Sequence, residues 1–113
     1  FTQIDYDREL ALILVRTLAG GEQRQIGVAR YITLADGETC EFAIVVADEW
    51  QGKGVAHGLF TRLIDAARRR RLRLMTGITL RENTRMIDLS RALGFETTVD
   101  GDEPELVRMA LRL

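Results

Sequence analysis

Hydrophobic residues recur with the spacing of β-strands in the first part of the chain. Runs rich in aliphatic and β-branched residues cover positions 10–17, 25–34 and 40–47, and glycine-containing segments separate them at 19–22 and 35–38. Such runs bounded by turn residues are typical of β-strands. The pattern therefore predicts a three-stranded meander. The β-branched centre of its third strand indicates burial on both faces.

The hydrophobic period changes to that of a helix after Trp50. Apolar residues now lie about four positions apart, at Val55, Leu59, Leu63 and Ala67. This spacing places them on one face and predicts an amphipathic helix. Residues 72–79 return to strand character, and a helix that connects two neighbouring strands makes them parallel. A βαβ unit is therefore expected here.

A second helix and two further strands complete the pattern. Asn83 is a residue type that caps helix N-termini with its side chain, and Gly94 is the type at which helices end. Residues 95–99 and 105–113 then have strand character, around a turn that contains Pro104. The predicted order is βββαβαββ, a mixed α/β (α+β) sheet in one domain over residues 1–113, without a repeat or linker.

Composition narrows the possible partners of this domain. Of the 113 residues, 46% are hydrophobic and 29% charged, as in ordinary globular domains. The 16 Lys and Arg residues nearly balance the 17 Asp and Glu residues, which gives no electrostatic reason to expect nucleic acid or an anionic membrane as partner. No apolar run approaches the length that crosses a bilayer.

The single cysteine and the first residue give two further expectations. Cys40 alone cannot form an intrachain disulfide or a cysteine-rich metal site, and it fits a reducing cytoplasm. No metal is expected. The chain begins at Phe1, without an initiator Met or a signal peptide. It is therefore expected to be a piece of a larger protein.

A glycine-containing loop leads from the third strand into the first helix. Its sequence, residues 51–56, is QGKGVA. Glycines let such a loop turn tightly while several main-chain N–H groups point the same way, and the helix N-terminus adds its own free N–H groups. Lys53 adds a mobile positive charge. The spacing fits neither a Walker P-loop nor GxGxxG, so the loop predicts a phosphate site of another kind.

The order of these motifs resembles the GNAT superfamily of N-acetyltransferases. QGKGVA stands between CEFAIVVA and a helix, and NTRMIDLSRALGF follows the next strand with the family's Asn-to-Gly-Phe spacing. The resemblance covers residues 10–113 and implies a GNAT-like mixed sheet. It also implies that the N-terminal strand and helices of the fold, which wall the acceptor site, would precede Phe1 and are missing.

A narrower resemblance concerns the opening FTQIDYDRELAL and the segment ETCEFAIVV. Both are similar to the acetyltransferase domain fused to an ADP-forming acyl-CoA-synthetase-like region in bacterial protein lysine acetyltransferases. That likeness implies acetyl-CoA as donor and a fused synthetase-like domain upstream. As acceptor it implies a lysine of a metabolic enzyme, often an AMP-forming acyl-CoA synthetase.

The resemblance also implies which residues bind the coenzyme. The pyrophosphate would be held by main-chain amides of the 51–56 loop, namely Gln51, Gly52, Lys53, Gly54, Val55 and Ala56. The pantetheine arm would pair with the main chain of Ile44, Val45 and Val46 like an added strand. Two parallel strands must splay to admit that arm, and Asn83 lies at the mouth of the second strand. Asn83 can bind the arm, cap its helix, or do both.

Transfer to a lysine requires a base, because the unperturbed amine has a pKa of about 10.4. Glu41 lies near the start of the third strand, where partial desolvation could tune it for this role. The resemblance places the general base here as well, whereas by position alone Glu41 could be an exposed edge charge. Ser90 occupies the position at which many members of the family carry a tyrosine general acid.

Other chemistry remains open. Cys40 has no adjacent histidine to activate it, so direct transfer is favoured over an acyl-enzyme. His57 could touch a phosphate, and the arginines at 68–71 could attract an acidic partner or the coenzyme's 3′-phosphate. Surface positions at the two ends of the first helix are favoured for both. Two alternatives to protein lysine acetylation stay open: a small-amine N-acetyltransferase, and a non-catalytic acyl-CoA-sensing domain that would not need Glu41.

Overall fold

A computed structural model describes residues 2–5, 8–52 and 54–113. Within these residues it contains seven strands and two α-helices. In chain order they are β1 (Thr2–Asp5), β2 (Glu9–Thr17), β3 (Gln23–Thr33), β4 (Thr39–Val46), α1 (Val55–Arg69), β5 (Leu74–Leu80), α2 (Thr84–Ala92), β6 (Glu96–Val99) and β7 (Leu106–Arg112). A single 3-10 turn, Asp48–Trp50, stands between β4 and the glycine loop.

The predicted strands and helices are confirmed, and their ends differ from the expected ones by a few residues. The predicted order is wrong in one respect, because strand β1 precedes the meander. β1 pairs antiparallel with β2, from Thr2 opposite Ile13 to Asp5 opposite Leu10. Four residues carry too short a pattern to predict a strand, and the pairing with β2 supplies what the local sequence lacks. What precedes Phe1 stays a prediction.

One sheet holds all seven described strands, in the order β1-β2-β3-β4-β5-β7-β6. β1 to β4 form an antiparallel meander, and β5, β7 and β6 form a second antiparallel group. The two groups are joined by the parallel pairing of β4 with β5 across helix α1. This confirms the predicted βαβ unit and makes the fold a mixed α+β sheet.

The hydrophobic core lies on one face of the sheet, beneath both helices. Leu59, Phe60 and Leu63 of α1 are fully buried there, and Met86 and Leu89 of α2 pack against the same cluster. At its centre the rings of Phe42, Phe60 and Phe95 lie 4.7 to 5.5 Å apart in tilted and edge-on geometries. Such aromatic contacts fix the helices against β4.

Strand β4 is buried on one face only, so the expectation of burial on both faces is wrong. Cys40 and Phe42 face the core, whereas Glu41, Ala43 and Val45 alternate with them and are exposed. The side chain of Val45 keeps 68% of its exposure. The cause is the placement of the helices, because α1 and α2 both cover the same side of the sheet.

β4 and β5 part after a short pairing. Their register contains three residue pairs and ends with Glu41 opposite Thr76. Immediately beyond this point the Phe42 ring occupies the space over Gly77, where an added Cβ atom would lie 2.5 Å from Cζ of the ring. Gly77 is therefore required here by close approach, and the ring acts as a wedge at the point where the strands diverge.

Replacing Gly77 by alanine is expected to destabilise the fold by about 1–3 kcal/mol, the usual cost of overfilling a packed core. The free energy of unfolding, measured by urea denaturation, checks this. Gly101→Ala is the matched control, because a Cβ atom at Gly101 meets nothing within 4 Å. Equal stability of the two variants would show that Phe42 yields freely and does not act as a wedge.

Candidate functional site

A cleft of about 500 Å³ opens beside β4, in the space from which β5 diverges. Ile44 and Val46 of β4 form its floor. One wall is the glycine loop with the first turn of α1, and the opposite wall is the first half of α2. The N-termini of both helices thus meet at this cleft, and their free N–H groups and dipoles favour an anion there.

The glycine loop has the conformation that the sequence predicted. Gly52 has a φ of 77° and Gly54 a φ of 78°, in the left-handed region that residues with a side chain avoid. Gly54 is the N-cap of α1, and its carbonyl accepts the N–H of Gly58 at 3.1 Å. Because a glycine cap brings no side chain, the first-turn N–H groups of α1 are open to a ligand. Lys53 lies outside the described residues.

The register of β3 and β4 orients the main chain at the floor of the cleft. The N–H of Ala47 donates to the carbonyl of Ile26 at 2.9 Å. In an antiparallel ladder the bonding direction alternates, so Val45 also bonds to β3, whereas Ile44 and Val46 direct their main-chain groups towards the cleft. An extended amide-containing ligand could pair with these two residues.

The structure brings together most of the residues predicted to bind the coenzyme. Those that line the cleft are Ile44, Val46, Gln51, Gly52, Gly54, Ala56 and Asn83. Val45 does not, because its side chain is exposed on the other face of the sheet. Val55 packs against the core. The binding roles of all these residues stay predictions, and for the side chains of Val45 and Val55 the geometry gives no support.

Asn83 is the N-cap of α2, as one of its two expected roles requires. Its Oδ1 accepts the N–H of Met86 at 3.2 Å. Its Nδ2 donates to Oγ1 of Thr79 at 3.1 Å, which ties the helix start to the end of β5. The amide therefore stands at the mouth of the cleft in a fixed orientation.

Several residues of the cleft were not predicted as ligand contacts. Trp50 and His57 line it beside the loop, and Arg85, Met86, Asp88 and Leu89 line it from α2. Trp50 also lies close to Arg16, whose guanidinium carbon is 5.8 Å from the centroid of the indole ring. A basic residue two positions after a helix N-cap is a signal that could have identified Arg85.

Glu41 lies at the last β4–β5 pair, on the sheet face opposite the helices. The Glu41 side chain is exposed, so the partial desolvation expected for its carboxylate is not observed. Ser90, in contrast, is fully buried, and its hydroxyl donates to the carbonyl of Ile87 at 2.9 Å. Ser90 therefore serves the core of α2, while the role of Glu41 as a base stays a prediction.

Cys40 precedes Glu41 on β4 but faces the core, and its buried thiol is unreactive. Its side chain has no exposed area, and desolvation raises the pKa of the thiol to about 12. The thiolate, which is the reactive form, is thus almost absent near neutral pH. This supports the interpretation of Cys40 as a core residue and not as a nucleophile.

Comparison with known proteins identifies the class of this chain. Residues 2–95 match the model of the Acetyltransferase (GNAT) family. The chain belongs to that family. It is 37% identical over 110 residues to an acetyltransferase of Pseudomonas aeruginosa, and the match covers 96% of this chain but only 59% of the relative.

Two of the solved structures with the same fold are 27% and 29% identical to this chain. The GNAT domain of S. lividans PAT is 27% identical, with a TM-score of 0.78 over 96% of this chain and 64% of that one. The yncA protein of Salmonella typhimurium, solved with its cofactor acetyl-CoA, is 29% identical, with a TM-score of 0.68 over 79% of this chain and 58% of that one. The chain thus spans about two thirds or less of these relatives.

None of the helices in residues 2–5, 8–52 and 54–113 is long and apolar enough to cross a bilayer. Within the same ranges, no group of three His, Cys, Asp or Glu side chains is placed to hold a metal ion.

Proposed function

We propose that this chain forms the acetyl-CoA-binding and catalytic part of a protein lysine N-acetyltransferase. The observation that carries the proposal is the cleft beside β4, where β5 diverges, with the glycine loop and the N-terminus of α1 along one wall. A ligand with a diphosphate and a long polar arm matches this cleft. Glu41 does not line it and projects from the opposite face of the sheet, at the last β4–β5 pair.

The residues present fit acetyl-CoA. The left-handed glycines of the loop and the first turn of α1 offer main-chain N–H groups to the diphosphate. Ile44 and Val46 offer N–H and C=O groups to the amides of the pantetheine arm. The yncA protein, whose fold this chain shares, was solved with acetyl-CoA as its cofactor. Bound acetyl-CoA supplies an activated acyl group.

Glu41 is the proposed base for direct transfer, as the resemblance to the protein lysine acetyltransferases implies. Five residue steps along the extended strand separate Glu41 from Val46, roughly 17 Å at 3.3 Å per residue. Glu41 is therefore remote from the proposed diphosphate site and close to the point where the strands part. There its carboxylate would accept a proton from the lysine ammonium. The neutral amine forms the new N–C bond while the C–S bond breaks and the coenzyme leaves as a thiolate. The nitrogen then loses its second proton to give the amide, and the thiolate takes up that proton.

A protein lysine is the proposed acceptor, and an acyl-CoA synthetase is the proposed partner. The resemblance of FTQIDYDRELAL and ETCEFAIVV to bacterial protein lysine acetyltransferases supports this class of substrate. The exposed face around Glu41 also suits a large acceptor, because Ala43 and Val45 beside it are open to solvent in the described residues. A synthetase-like domain upstream in the same protein belongs to this proposal.

An acyl-CoA sensor is the second candidate, favoured by one observation. The hydroxyl of Ser90 is bonded inside α2 and cannot protonate the leaving thiolate from the position of the usual tyrosine. A sensor would keep the cleft and lack turnover. A small-amine acetyltransferase would instead need an enclosed anionic acceptor pocket.

Acetyl transfer by the purified protein separates these candidates. We expect acetyl groups from labelled acetyl-CoA to appear on lysines of a purified acyl-CoA synthetase, without a stable adduct on Cys40 in mass spectra. Transfer to polyamines but not to the synthetase would favour the small-amine enzyme. Binding of acetyl-CoA without transfer to either acceptor would favour the sensor.

A further inference from the structure

Arg85 crosses the cleft from the wall opposite the glycine loop. It lies in the first turn of α2, and its Nη1 donates to Oε1 of Gln51 at 3.3 Å. This contact joins the two walls of the cleft at its mouth. The guanidinium of Arg85, which is exposed, is thus aimed at the place where the loop gathers its N–H groups.

Gln51 also hydrogen-bonds to a main-chain carbonyl that a ligand in the cleft would need. Nε2 of Gln51 donates to the carbonyl of Val46 at 3.4 Å, a long and weak hydrogen bond. That carbonyl points into the cleft, as the register of β4 requires. The side chain of Gln51 therefore stands between Arg85 and the floor, and these two long hydrogen bonds are weak enough to be exchanged.

We propose that Arg85 binds a phosphate group of the coenzyme across the cleft and releases Gln51 when it does so. This rests on the proposed function, since it requires a phosphorylated coenzyme. A charged phosphate oxygen is a stronger acceptor than the neutral amide oxygen of Gln51, and a guanidinium can bond two such oxygens at once. The exchange also frees the carbonyl of Val46 for the pantetheine arm.

Two kinds of phosphate in coenzyme A could supply the acceptor: the diphosphate and the 3′-phosphate. The shared chemistry is a phosphate oxygen within reach of the loop. Arg85 faces Gly52 and Gly54 across the same cleft, so the guanidinium and the loop would hold the phosphate from two sides.

Isothermal titration of coenzyme A into the wild-type protein, Arg85→Gln and Arg81→Gln tests the proposal. We expect Arg85→Gln to weaken affinity by about tenfold or more, as expected for a lost charge-assisted hydrogen bond. Arg81 is the matched control, because it is exposed four residues earlier and does not line the cleft. Its replacement should leave affinity unchanged. Titration of 3′-dephospho-coenzyme A then assigns the phosphate: a loss that persists identifies the diphosphate, and a loss that disappears identifies the 3′-phosphate.

A second background separates phosphate binding from a structural bridge. In a Gln51→Ala protein, a bridge through Gln51 no longer exists, so Arg85→Gln would cost nothing if that bridge were its whole role. We expect the tenfold loss to remain there. The proposal is overturned if Arg85→Gln binds coenzyme A like the wild type, or if its loss vanishes in the Gln51→Ala background. Failure of the wild type itself to bind coenzyme A would instead overturn the proposed function.

Discussion

Glu41→Gln is expected to lower kcat of acetyl transfer by about 10²–10⁴-fold, the usual contribution of a general base. Glutamine keeps the shape of the side chain but cannot accept the proton of the lysine ammonium. Affinity for acetyl-CoA should change little, because Glu41 lies at the far end of β4 from the glycine loop. Steady-state kinetics with both substrates saturating, together with titration of acetyl-CoA, measure the two effects separately.

The pH dependence distinguishes this role from a structural one. As pH rises the lysine loses its proton without help, so the defect of Glu41→Gln should shrink. Glu38→Gln serves as the control, since Glu38 is also an exposed carboxylate near the start of β4. Its Oε1 lies 3.7 Å from Nε of Arg73. Wild-type kcat in Glu41→Gln near neutral pH, in an assay limited by chemistry, would exclude Glu41 as the base.

Gly54→Glu is expected to weaken coenzyme A binding by roughly 100-fold or more. A side chain at a φ of 78° is strained by about 1–2 kcal/mol, and a carboxylate here would stand against the phosphates with like charge. Every 1.4 kcal/mol is a factor of ten in affinity. Titration calorimetry, with circular dichroism to verify folding, is the appropriate measurement.

Gly58→Glu provides the comparison for this variant. It adds the same side chain one turn further along α1, where a Cβ atom meets nothing within 4 Å. Gly58 does not line the cleft. Its affinity should stay near that of the wild type. Comparable losses in both variants would point to a general charge effect and not to a phosphate site at the loop.

Local patterns were sufficient to predict most of the fold and the loop. The β-branched run that ends near Val46 predicted β4, and the four-residue spacing of apolar residues from Val55 predicted α1. The glycines between them predicted a tight turn, and both have a positive φ. These features depend on residues that are close in the sequence. For the same reason Asn83 and Gly94 predicted both ends of α2, where Gly94 has a φ of 98°.

What the sequence could not predict depends on contacts between distant segments. Strand β1 forms through its pairing with β2. One face of β4 is exposed because both helices pack on the other face of the sheet. The contact of Arg85 with Gln51 joins residues 34 positions apart. Periodicity carries no information about such pairs, which are fixed only when the sheet brings the two walls of the cleft together.

The short junction of β4 and β5 also affects how the sheet resists aggregation. Its outer edges, β1 and β6, have four residues each and are poor templates for another chain. The inner edges that face the cleft are also unpaired, because residues 42–46 of β4 and 77–80 of β5 do not pair with each other in the described structure. A strand from a second molecule could add there. We expect saturating coenzyme A, which would occupy these edges, to suppress self-association on heating, and light scattering with and without the coenzyme measures that protection.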